Sequence, residues 1–95
     1  MSSAYVVGHV TVNDPERWLE YVERIPETLA GWGGEVILRG QRTATLAGRA
    51  GHPNIVVLRF PDMHSVEQWY ASPEYQALIP LRDAAAQVDL AAYQG

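Results

Sequence analysis

The sequence predicts an α+β fold of the ferredoxin-like kind, an antiparallel sheet with helices packed on one face in the order βαββαβ. Three observations lead there. Runs of β-branched residues bounded by turn formers alternate with segments of helical periodicity in that order. The 95 residues suit a single domain over 1–95, because chains divide only at roughly 100 to 200 residues per domain. The content, 47% hydrophobic and 19% charged, is that of a folded chain rather than a disordered one.

Each element has a local cause. Ala4 to Val12 is rich in β-branched residues and reads as a strand. Asn13, Asp14, Pro15 and Glu16 then supply a cap, a proline at the first helical position and an acid in the first turn. From there Trp18, Tyr21, Val22, Ile25 and Leu29 fall on one face of a helix, with glutamates mostly on the other. Pro26 lies inside that pattern and predicts a kink, and Gly31 to Gly34 ends the helix. Glu35 to Arg39 reads as a second strand, Gly40 to Arg42 as a turn, and Thr43 to Ala47 as a short third strand before the loop from Gly48 to Asn54. Ile55 to Phe60 is the strongest strand signal, closed by Pro61. Asp62 caps a helix carrying Val66, Trp69 and Tyr70. Ser72 and Pro73 open another through Tyr75, Leu78 and Ile79, which Pro80 must distort or end. Val88 to Tyr93 reads as the last strand.

Alternate residues of a strand point to opposite faces. With strict alternation, Val6, Val10, Val36, Leu38, Val56, Leu58, Phe60, Val88 and Leu90 share an apolar face that packs under the helices. Tyr5, Val7, His9, Thr11, Glu35, Ile37, Arg39, Ile55, Val57, Arg59, Asp89 and Tyr93 share the other. That mixed face suits a two-fold interface between copies of the chain, or a pocket with a few convergent polar groups. A chain this short has a thin core and no cysteine for a disulfide, so association with a second copy is the expected support.

Composition also excludes partners. The formal net charge is −4, with no basic stripe, which argues against nucleic acid. All seven basic residues are arginines, so no phosphate-binding Gly-rich loop ending in Gly-Lys exists. The histidines have no metal-ligand spacing, so no metal site is expected. Neither a nucleotide fingerprint nor a nucleophile elbow occurs, and no cofactor is expected. No stretch approaches the roughly 20 apolar residues of a membrane span, and no secretory pattern opens the chain, so a cytoplasmic protein without membrane contact is expected.

The string Val10-Thr-Val-Asn-Asp-Pro15, Gly33-Gly34 followed by Arg39-Gly40, the Arg59-Phe60-Pro61 strand end, and Trp69-Tyr70-Ala-Ser72-Pro73-Glu74-Tyr75-Gln-Ala-Leu78 resemble the family catalogued as domain of unknown function 1330. The resemblance spans nearly the whole chain. It implies a dimeric α/β barrel, two ferredoxin-like subunits with their sheets face to face, in a superfamily that includes cofactor-independent monooxygenases, isomerases and proteins of no known activity. Arg59 stands where the family commonly has an acid, and Ala47-Gly48 where it commonly has Glu-Gly, so carboxylate chemistry is not carried over.

The candidate catalytic residues are therefore His9, as a proton shuttle, and Arg39 or Arg59, as guanidinium forks for developing negative charge. Tyr5, Trp69, Tyr70 and Tyr75 are candidate ligand-binding residues. His52 and His64 read as solvated. The expected function is a homodimer that binds a small anionic or aromatic organic molecule, as a cofactor-independent isomerase, cyclase or monooxygenase. The alternative is a noncatalytic dimeric module whose sheet face only pairs with its twin.

Overall fold

The computed structural model describes residues 3–95. Strand β1 (Ala4–Val12) leads into helix α1 (Pro15–Leu29) and a short 3-10 turn (Ala30–Trp32). Strands β2 (Glu35–Gln41) and β3 (Asn54–Phe60) follow, then helices α2 (Met63–Ala71), α3 (Pro73–Gln76) and α4 (Ile79–Ala85), and strand β4 (Ala86–Gln94). The four strands form one antiparallel sheet in the order β2-β3-β1-β4. This is the α+β ferredoxin-like arrangement.

The caps act where the sequence places them. The Asp14 side chain accepts from the Arg17 backbone N–H at 3.2 Å, and Asp62 from that of Ser65 at 2.7 Å. Hydrogen bonding from Ser65 draws the Asp62 carboxyl below its usual range. Helix α1 runs unbroken through Pro26, whose side is exposed. Gly33, at φ 70°, turns the chain in the left-handed region. The stretch after Ser72 divides into α3 and α4, with the break at Ala77 and Leu78 just before Pro80.

Two expectations fail. No strand forms over Thr43–Ala47, and Gly40 and Gln41 belong to β2 rather than to a turn. The ladder continues to Gln41 opposite Asn54, and the Arg42 N–H reaches Pro53 O at 2.7 Å. Residues 43–47 therefore lie beyond the end of the neighbouring strand with nothing to pair with. Their one large apolar side chain, Leu46, is 95% exposed.

The second failure is the parity of β2. Val36 pairs with Leu58 but Leu38 pairs with Val57, so Ile37 is an extra residue that shifts the register. A bulge of this kind flips every later side chain to the opposite face. Leu38, expected in the core, is 49% exposed on the open face, and Arg39 turns to the helix side opposite Val56.

The core lies between sheet and helices, with Trp69, Tyr75 and Phe60 almost wholly buried beside Val6, Ile25, Leu29, Leu58 and Leu78. Trp69 packs on Tyr75 with ring centroids 4.3 Å apart and on Phe60 at 5.3 Å. Gly8 is a close approach: a Cβ there would meet Val56 Cγ1 at 2.8 Å and Leu90 Cδ2 at 3.0 Å. Among the described residues no helix is long and apolar enough to cross a membrane.

Candidate functional site

The β2 bulge carries Arg39 into a cleft between α1 and the sheet. An outer part of about 260 Å³ is bordered by Trp18, Arg39, Gln41, Asn54 and Val56. An inner chamber of about 30 Å³, room for a single water, shares Trp18, Arg39 and Val56 with it and is backed by Tyr21, Trp69 and Tyr75. Trp18 stacks on Tyr21 at 5.0 Å along the α1 wall. The walls are thus aromatic and aliphatic, with one guanidinium at the threshold. Partial burial there lowers the Arg39 pKa, an effect that nearby Tyr21 partly offsets. The group nevertheless stays a cation, because a guanidinium is not deprotonated in proteins.

Behind the chamber runs a chain of hydroxyls. Tyr21 Oη and Tyr75 Oη are 2.9 Å apart, and Arg82 Nη1 donates to Tyr75 Oη at 3.0 Å and to Tyr70 Oη at 3.5 Å. The Arg82 side chain is only 12% exposed, and its Nε donates to Asp83 at 3.0 Å. Burial disfavours the Arg82 charge, but hydrogen bonds to Tyr70 and Tyr75 outweigh it and raise the pKa. Arginine only donates, so the Tyr75 oxygen accepts from Arg82. Tyr75 can then pass its own O–H to Tyr21, which frees the Tyr21 O–H for the chamber. Burial above all, then Tyr75, raises the Tyr21 pKa far above that of an ordinary phenol. Tyr21 therefore serves as a hydrogen-bond donor and not as a base.

Trp69 is fixed by the same logic of satisfied polar tips. Its Nε1 donates to Thr28 Oγ1 at 3.0 Å, and that hydroxyl donates to Ile25 O at 2.7 Å. Ser72 Oγ donates to Trp69 O at 2.7 Å and accepts from Tyr75 N–H at 3.3 Å, which sets the two aromatic residues relative to each other.

The residues singled out from the sequence divide between the two faces of the sheet. Arg39, Trp69 and Tyr75 meet around the helix-side chamber. Tyr70 is 38% exposed and borders an open groove between α2 and β4. His9, Arg59 and Tyr5 lie on the open face, so Arg39 is not beside His9 as strict alternation had it. Arg59 stands opposite Tyr5 in the ladder and pairs with Glu35. His9 stands four positions further along β1, about 13 Å away at roughly 3.3 Å per residue, so His9 and Arg59 do not share a site.

Sequence reasoning missed Tyr21 and Arg82, reading the first as packing and passing over the second. The signals were a phenol inside an apolar stripe and a cation at the spacing of Leu78 and Ala85 on α4. It also took His52 as solvated, whereas that side chain is only 16% exposed and bonded at both ring nitrogens, to Thr11 Oγ1 at 2.7 Å and Asp89 Oδ2 at 2.9 Å.

The family model for the domain of unknown function DUF1330 matches residues 3–95, and the chain belongs to that family. No curated protein matches it. Among solved structures it is similar to a protein of unknown function from Rhodopseudomonas palustris, at TM-score 0.82 and 16% identity, over 99% of this chain and 82% of that one. It is also similar to SnoaB, a cofactor-independent oxygenase from Streptomyces nogalater, at TM-score 0.70 and 14% identity, over 100% and 94% of the two chains. A third is a dimeric ferredoxin-like protein of unknown function from Thermobifida fusca, at TM-score 0.65 and 14% identity, over 99% and 90%. Identities this low speak for the fold alone.

Proposed function

We propose that this member of the DUF1330 family is a cytoplasmic homodimer that binds a small aromatic organic anion in the Arg39 cleft and acts on it without a cofactor, as an isomerase, cyclase or oxygenase. The observation that carries the reading is the turning of Arg39 into an aromatic-walled cleft. A flat ligand lies in the outer part of the cleft against Trp18 with its anionic group on the guanidinium, where fork geometry and partial desolvation strengthen the contact. A single water in the inner chamber links its inner end to the Tyr21 O–H. Both protein groups are donors, so the site favours the anionic form of a phenol or enol and stabilises charge as it develops. The fold shared with a cofactor-independent oxygenase agrees with this chemistry. His9 is across the sheet and takes no part in it.

The dimer rests on the open face. Its middle row is Leu38, Val57, Val7 and Ala91, next to one another across the four strands, with Ile37 beside them. Leu38 and Ile37 are 49% and 45% exposed, and a second sheet would cover them. That row alone would also suit a noncatalytic dimeric module.

Titration with 1-naphthoate and naphthalene, followed by tryptophan fluorescence, separates the two. The ligand reading expects saturable quenching by naphthoate, weaker binding of uncharged naphthalene, and at least a tenfold loss of naphthoate affinity in Arg39→Ala. No saturable response to either compound, or an unchanged affinity in Arg39→Ala, would sink it and leave the module.

A further inference from the structure

We propose that the open face of the sheet carries a second binding site, distinct from the Arg39 cleft, for a small hydroxy- or amino-carboxylate, built from Arg49, His9 and Asp89. The connection between β2 and β3 is pinned onto the sheet to make it. A carboxylate only accepts, so Asp89 Oδ2 takes the His52 Nε2–H at 2.9 Å. The bare Nδ1 then accepts the Thr11 hydroxyl at 2.7 Å. The neck of the connection is closed by Arg42, whose Nη1 donates to Ala50 O at 3.2 Å and His52 O at 2.9 Å. Residues 49–51 are thereby held over β1 and β4.

Beneath them lies a cleft of about 350 Å³ lined by His9, Arg49, His52 and Asp89. His9 is directly opposite Asp89 in the β1 and β4 ladder. Among the described residues, neither His9 nor Arg49 has a side-chain hydrogen bond or ion pair, and Asp89 engages His52 through Oδ2 alone. The anchoring residue His52 is satisfied at both nitrogens, so three groups remain for a ligand. Arg49 is donor-only and fits a carboxylate. The second Asp89 oxygen is acceptor-only and fits a hydroxyl or ammonium on the adjacent carbon. His9 can bridge the two, as donor or acceptor. A simple anion without a donor meets the Asp89 charge, which discriminates against sulfate and acetate. The cleft lies one row beyond the apolar row assigned to the dimer, and it stands or falls independently of the Arg39 cleft.

The test follows the Arg49 Nε–H and the His9 ring protons by NMR in the whole protein during titration with lactate, L-serine, acetate and sulfate. Lactate and serine should shift both groups saturably and bind at least tenfold more tightly than acetate or sulfate. Arg49→Ala, on an exposed connection, should abolish the His9 response, and Asp89→Asn should reduce the preference for lactate over acetate. No response to lactate and serine overturns the proposal. So does an equal response to lactate, acetate and sulfate, which would be simple charge attraction, or lactate binding unchanged in Arg49→Ala.

Discussion

Replacing Tyr75 by Phe removes one oxygen from a buried chain and nothing else. Tyr75 is 0% exposed, and its hydroxyl contacts Tyr21 Oη at 2.9 Å and Arg82 Nη1 at 3.0 Å. The ring keeps its packing on Trp69, so no cavity term enters. Tyr21 is left with a buried hydroxyl lacking a partner, and Arg82 keeps Tyr70 and Asp83. An unsatisfied buried hydroxyl costs about 1–3 kcal/mol. In a domain of this size that lowers the melting temperature by roughly 5–20 °C. Thermal unfolding followed by circular dichroism, at one fixed protein concentration because association shifts the midpoint, measures it. Tyr21→Phe should cost a similar amount. The Tyr21→Phe, Tyr75→Phe double variant should cost less than the sum, since removing both partners leaves no orphan between them. Additive losses, or a Tyr75→Phe change below about 0.3 kcal/mol, within which uncoupled sites already add, would show that the hydroxyl chain does not exist as described.

Three further outcomes follow from the same geometry. Because burial raises the folded Tyr21 pKa, its contribution to stability is full below the unfolded value near pH 10 and falls as pH rises above it; denaturant titrations should show a steeper alkaline loss in the natural protein than in Tyr21→Phe, and parallel curves would refute the assignment. Gly8→Ala puts a Cβ within 2.8 Å of Val56 and 3.0 Å of Leu90 and should destabilise by about 1–3 kcal/mol; a variant as stable as the parent would mean that the strand shifts freely. Val57→Glu, in the apolar row of the open face, should convert a particle of twice the chain mass into one of single mass by light scattering, and a natural protein that is monomeric at micromolar concentration would contradict the dimer.

What was legible in the sequence was whatever depended on local chemistry. The caps at Asp14, Asp62 and Ser72, the apolar face of α1 and the strands around Val6 and Leu58 follow from residue type and period, and the structure has them. The misplacements share one cause, the pairing of β2. A period of two carries no mark of an inserted residue, so Ile37 looked like an ordinary strand position and Arg39 was assigned to the wrong face. The same ladder, continuing to Gln41, took away the partner that a strand at 43–47 would have needed. Tyr21, Arg82 and His52 were hidden differently. Tyr21 and His52 take their roles from contacts across 54 and 37 positions of chain, which no local window holds, and Arg82 from a bond to Tyr75 across the break between α3 and α4.

The central claim is that a bulge delivers Arg39 to an aromatic cleft that takes an organic anion. The most direct measurement is the chemical shift of the Arg39 Nε–H and of the Trp18 and Trp69 indole N–H groups on addition of 1-naphthoate. The account predicts that all three move together and saturate at one ligand per subunit, while the Arg59 Nε–H on the opposite face stays still. Movement of Arg59 with a still Arg39 would contradict it, because the anion would then be binding on the face to which strict alternation had assigned both arginines.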